Sequence, residues 1–245
     1  MWLMVKTLDL FYIIFTSLLI VPAFAMSEND SDFISEDTSS YFNSVKINSV
    51  LSDSMSKVDF DGQWTFKTEW KQSALYELGD TQNPMIVRIA HYDGFLYVHV
   101  NNLFDLTNNK SADRTVVCLS PEDSVMNNDY WCFVASRGIN TGHTMQGNSQ
   151  SSIDGNLKLI SNPEGFVGIG GTSSLTDRYM LTPHAAYELK IPLDFIGNSQ
   201  NYKFFIKTID NQSVYTFPEN LMESSHGIPS IEYWGTLSSK DKTIG

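Results

Sequence analysis

Tyr130-Trp131 stands close to Arg137, and both lie beside a polar run over residues 138–152 that holds Asn140, His143 and Gln146. These types suit sugar recognition. Flat aromatic rings pack on the C–H faces of a pyranose, and amides or a guanidinium at the rim bond its hydroxyls. Tyr130, Trp131, Arg137, Asn140 and His143 are therefore the candidate carbohydrate-binding residues. The competing reading is structural: Trp131 alternates with Phe133 and Ala135, which places it on the core-facing side of a strand. A second aromatic row, Phe95, Tyr97, His99 and Asn101, follows a period of two. It would serve either as a ligand platform or as packing under a neighbouring loop or the N-terminal segment, and covered packing is the expectation.

Other chemistry is thinner. Cys118 and Cys132 lie in two strand-like runs separated by a polar stretch, so they face each other across a hairpin as a disulfide or stay as buried thiols. No CxxC occurs and the five histidines are scattered, which argues against zinc. Asp59 and Asp61, or Asp105, offer the loop carboxylates a structural calcium ion would take, without EF-hand spacing; the metal set is unknown from sequence. Gly168-Ile169-Gly170-Gly171 reads as a bulge or a tight sheet contact rather than a phosphate loop. There is no Gly-x-Ser-x-Gly elbow and no His-Glu-x-x-His, so no catalytic residue is assigned and the chain is expected not to be an enzyme. A net charge of −12, with no clustering among the 16 Lys and Arg residues, argues against a nucleic-acid partner.

The elements that must position these residues follow from the same sequence. Lys6, an apolar run over residues 10–21 and Ala23-Phe24-Ala25 read as a signal peptide spanning residues 1–25. Residues 26–57 read as a flexible acidic linker: residues 26–40 are dominated by Ser, Asp, Glu and Asn, while Tyr41-Phe42, Val45, Ile47 and Val50 offer one added strand or short helix. From Val58 to residue 240 the pattern is β. Leu96, Val98 and Val100 alternate with the aromatic row, and Asp93-Gly94 before them favours a tight hairpin turn with residues 85–92. Further strands are expected over residues 63–69, 114–119, 130–137, 156–160, 166–170, 187–191, 203–209 and 214–217. Many short strands with little helix mean an all-β, two-sheet antiparallel sandwich, jelly-roll or immunoglobulin-like. Trp234 is expected to plug the bottom of it. Three sequons, at Asn29, Asn109 and Asn211, agree with export.

Several of these pieces occur in a shared order. They are Val58-Asp59-Phe60-Asp61-Gly62, then Trp70-Lys71, then Asp93-Gly94-Phe95-Leu96-Tyr97-Val98 with Asp105 after it. Tyr187-Glu188-Leu189-Lys190-Ile191-Pro192-Leu193, the run from Phe204 to Asp210, and Trp234-Gly235-Thr236-Leu237 complete the series. Over residues 58–238 the chain resembles family 9 carbohydrate-binding modules, within a broader set that includes DOMON and ethylbenzene-dehydrogenase haem-binding domains. The resemblance implies a β-sandwich that holds a sugar between two tryptophans near its loop ends; Trp131 offers one half, and no second tryptophan is identified. The haem-binding branch implies a Met with a Lys or His as axial ligands, for which Met145, Met180, His143 and His184 are the candidates. The expected function is an exported, non-catalytic module, secreted or at the cell surface, whose partner is a carbohydrate or cell-surface glycan, with no stable membrane insertion after signal cleavage and no required cofactor. The alternatives are a haem-binding electron-transfer domain and a structural cell-surface domain.

Overall fold

In the computed structural model, residues 44–47, 55–66, 68–78, 84–122, 129–148, 157–211, 213–219 and 227–239 are described. The stretch expected to be a signal peptide and most of the expected linker lie outside them. Among the described residues no helix is long and apolar enough to cross a membrane.

Alternating side chains give each strand one face for the core, and two sheets meet on those faces. The first sheet has five strands: β2 (Ala74–Leu78), β3 (Met85–Tyr92), β4 (Phe95–Asn102), β9 (Val167–Ser173) and β10 (His184–Pro192), in the order β2-β3-β4-β10-β9. The second has eight: β1 (Ser44–Ile47), β5 (Arg114–Pro121), β6 (Asp129–Ser136), β7 (His143–Asn148), β8 (Lys158–Ile160), β11 (Asn201–Asp210), β12 (Ser213–Phe217) and β13 (Gly235–Ser239). Its path runs β1-β13-β11-β5-β6-β7-β8, and β12 shares with β13 one edge of β11. Every pairing between these strands is antiparallel except β1 with β13, and an isolated parallel bridge joins Arg137 to Gly170.

The core between the sheets joins Val87, Ile89, Leu96, Val98, Leu189 and Ile191 of the first sheet to Val117, Leu119, Phe133, Phe204 and Ile206 of the second. At about 25 cal/mol per Å² of apolar surface removed from water, this layer is the main stabilising contribution. The Asp93-Gly94 turn is as expected: Tyr92 pairs Phe95, leaving a two-residue loop with φ of 50° and 75°, which the type I′ hairpin demands. Cys118 and Cys132 sit opposite each other on β5 and β6 and are disulfide-bonded. The glycine run is a tight backbone contact. A Cβ on Gly171 would lie 2.6 Å from the Gly62 carbonyl oxygen, and one on Gly170 would lie 2.7 Å from the Ser136 carbonyl.

Four expectations are corrected. Residues 63–69 form no strand; Glu69 accepts from the amides of Asp59 and Thr65, and Ser173 Oγ accepts from the amide of Trp64, so side chains satisfy a backbone that a ladder would otherwise hold. Residues 138–152 are not one long loop, because His143–Asn148 is β7, paired with β6. The linker does not run on to residue 57: Ser44–Ile47 joins the larger sheet as the strand that Val45 and Ile47 offered, and Met55 is buried. Trp234 does not plug the inter-sheet core; it stacks on Phe205 and meets Tyr130 edge-on, on the outer face of the larger sheet.

Candidate functional site

Residues directly opposite in a sheet share a face. Trp131 pairs with Leu119 on one side and Gln146 on the other, and Gln146 pairs with Lys158. The row therefore starts in the core at Leu119 and runs out to exposed Lys158 at the β8 edge. Trp131 stands at the transition, half-buried and packed against the rim of the core. Asp129, two residues earlier on the same strand, points the same way. Above Trp131 lies Phe195, carried by the helical turn Leu193–Ile196 that follows Pro192 at the end of β10. Leu193 and Ile196 anchor that turn in the core, which leaves Phe195 38 % exposed. The two rings are 6.3 Å apart at 68°. The result is an aromatic corner at one end of the sandwich, rimmed by a carboxylate, an amide and an ammonium.

The five sugar-binding candidates do not converge. Tyr130 is buried on the opposite side of β6 from Trp131, its ring lying where a Cβ of Gly147 would be, and it packs on Trp234. Arg137 is 2 % exposed; its guanidinium bonds Asp105, the Thr107 carbonyl and the Thr172 hydroxyl. Neither reaches solvent. Asn140 is exposed in the turn before β7, and His143 is half-buried on the outer face of the larger sheet, away from the Trp131 face. Of the five, Trp131 alone faces the aromatic corner, and Phe195 is the partner that sequence reasoning missed.

The second aromatic row is covered, as expected. Phe60, Trp64 and Trp70 lie over Tyr97 and His99, with Phe60 stacked on Tyr97 and the two indoles against the His99 ring. Glu188 fastens this cover: its carboxyl accepts from the amides of Asp61 and Gly62 and from the Trp70 indole. Burial pushes that carboxyl well above its ordinary range. Burial likewise drives the His99 imidazole down to about 3, and neither ring nitrogen has a hydrogen-bond partner. Beside it, Asp177 accepts from Asn101, Ser173 and the Tyr179 amide, while His184 faces Asn101 and the Thr182 carbonyl. This His, Asp and Ser set is sealed from solvent and acts as a fastening of the cover.

Of the calcium candidates, Asp61 already accepts from the Gln63 amide and the Thr65 hydroxyl. Asp105 lies with Asp113 and Asp210, with carboxylate oxygens within 4.8 Å of one another. Arg137 stands 3.2 Å from Asp105 and 3.6 Å from Asp113 and supplies a counter-charge. Burial, and then repulsion from Asp210 and Asp113, still lifts Asp105 to about 7. Of the haem-ligand candidates, His143 and Met145 lie two residues apart on one strand and point the same way, so they cannot approach one iron from opposite sides. His184 is fully buried in the Asp177 network, and Met180 lies in the loop before it.

No family model matches the chain, and no curated protein does. Among solved structures, a family 9 carbohydrate-binding module from Caldicellulosiruptor kristjanssonii in complex with glucose is similar at a TM-score of 0.45 and 12 % identity, over 82 % of this chain and 97 % of that one. The same organism's module in complex with cellotriose is similar at 0.45 and 11 %, over 80 % and 93 %.

Proposed function

We propose that this chain is an exported, non-catalytic carbohydrate-binding module whose sugar stacks on Trp131 and Phe195. The observation that carries the reading is the corner itself: an indole anchored in the core by one edge, an exposed phenyl ring 6.3 Å away, and the side chains of Asp129, Gln146 and Lys158 turned to the same side. The two rings pack edge to face, and their open surfaces offer a sugar ring an apolar seat for its C–H faces, while the polar rim bonds its hydroxyls. The strand and the anchored turn fix the rings before the ligand arrives, which lowers the entropic cost of binding. Export agrees with the signal-like leader and with the disulfide, since such bonds persist in oxidising compartments.

Calorimetry with a panel of soluble neutral gluco-, manno- and xylo-oligosaccharides tests the reading. The expected result is saturable, one-to-one binding of at least one member, weakened tenfold or more in Trp131→Ala and in Phe195→Ala. Binding that is unchanged in both variants, or no binding by any member of the panel, would contradict it.

A further inference from the structure

The outer face of the larger sheet is covered over only part of its width. Ile228, Ile231 and Trp234 lie over Val116, Cys118, Tyr130, Cys132, Val134 and Phe205. Beside this cover a cleft of about 460 Å³ opens, within the range of small-molecule sites. Cross-strand register builds its floor. Lys207, Val116, Val134 and His143 form one row across β11, β5, β6 and β7, and Ile209, Arg114 and Ser136 form the next. Four adjacent strands make the floor ~14 Å wide. Met145, Leu157 and Ile228 supply apolar walls.

Two features fix the chemistry of an occupant. Among the described lining residues, aliphatic side chains and Met145 make up most and none is Phe, Tyr or Trp, so the cleft offers no broad flat ring for a sugar but suits an alkyl chain. The charged residues of its described lining are cationic: Arg114 and Lys207, with His143 beside them and no carboxylate among the described residues, in a chain of net charge −12. Arg114 depresses both of its neighbours. Burial first, and then this guanidinium, brings the Lys207 amine down to about 8 and lowers the His143 imidazole. Lys207 donates to the Gly227 carbonyl, whereas no carboxylate among the described residues pairs with Arg114. A guanidinium over an apolar floor is a fork that takes a carboxylate in two parallel hydrogen bonds.

We infer that this cleft binds a single-chain fatty acid, with the alkyl tail on Val116, Val134, Ile209 and Ile228 and the carboxylate on Arg114. This inference is independent of the sugar reading, because Val134 and Trp131 point to opposite faces of β6.

Titration of the full-length chain with dodecanoate tests it, with dodecyltrimethylammonium as a tail-matched cation. Dodecanoate should bind saturably and the cation should not. Arg114→Gln should weaken dodecanoate tenfold or more. Thr141→Glu, at an exposed position on the rim, should weaken it several-fold through repulsion and leaves the core untouched if the Arg114 variant folds poorly. Trp131→Ala should leave dodecanoate affinity unchanged, so that failure here and failure of the sugar reading are separately visible. No saturable binding of dodecanoate, equal binding of the cation, or affinity unchanged in both Arg114→Gln and Thr141→Glu would overturn the inference.

Discussion

Two aromatic clusters of similar composition sit at different places on this sandwich and do different work. Trp64, Trp70, Phe60 and Tyr97 lie on the outer face of the five-stranded sheet, fully or largely buried and tied down through Glu188. Trp131 and Phe195 lie at one end of the inter-sheet core, anchored on one side and open on the other. The types of aromatic ring do not separate them, since both hold Trp and Phe. What separates them is whether the adjoining chain has hydrogen-bond partners that close it over the rings. Residues 59–66 and 68–70 find Glu188, Glu69 and Ser173 and become a lid; the turn at Leu193–Ile196 is held by the buried Leu193 and Ile196 side chains and by the Leu193 amide, which donates to the Gly94 carbonyl, and it leaves Phe195 out.

The largest effect should come from breaking the closed cluster. Trp70→Ala removes a fully buried indole and leaves Glu188 without one of its donors, so it should cost about 3–5 kcal/mol in chemical denaturation. Sugar affinity of the protein that remains folded should not change. Opening the Cys118–Cys132 bond with a double Ser substitution should cost about 3 kcal/mol, as expected for a loop of 14 residues. It too should spare the aromatic corner, because the bond lies on the outer side of the sheet.

Much of this contrast was legible in the sequence. Asp93-Gly94 gave the hairpin, alternation gave the strands that face the core, and the same alternation put the Phe95 row on the opposite face, as a ligand platform or, the reading preferred, as covered packing. The open cluster was half legible. Trp131 stood out by type, but Phe195 lies 64 residues further on, in a turn that only the pairing of the two sheets brings over β6. The lid was misread because Trp64 and Phe66 mimic strand alternation, while the side chains that satisfy its backbone come from distant residues. β7 was missed for the opposite reason. Its inward positions are Thr144 and Gln146, and its Gly147 is required by the Tyr130 ring, so it carries little apolar signal. Tyr130 and Arg137 were offered to a ligand because of their types; burial shows them to be internal fastenings.

A smaller effect should appear in the pH dependence of stability. Asp105 rises from 3.8 to about 7 in the folded chain, so between those values the folded state holds a proton that the unfolded chain releases. The stability from this group is full below pH 3.8 and is lost as pH rises through 7. Asp105→Asn, followed by thermal unfolding between pH 4 and 8, should flatten that slope without altering sugar binding. The smallest effect on stability belongs to Phe195→Ala. Truncating a ring already partly in water should cost about 1 kcal/mol or less, yet the same change should remove most of the sugar affinity.

The most direct test follows the tryptophan indole N–H resonances by two-dimensional NMR during titration with an oligosaccharide that calorimetry shows to bind. The Trp131 signal, identified by its absence in Trp131→Phe, should shift progressively and saturate while those of Trp64, Trp70 and Trp234 stay in place. A stationary Trp131 signal beside a moving Trp64 or Trp70 would place the sugar under the lid and rule out binding at the Trp131–Phe195 corner.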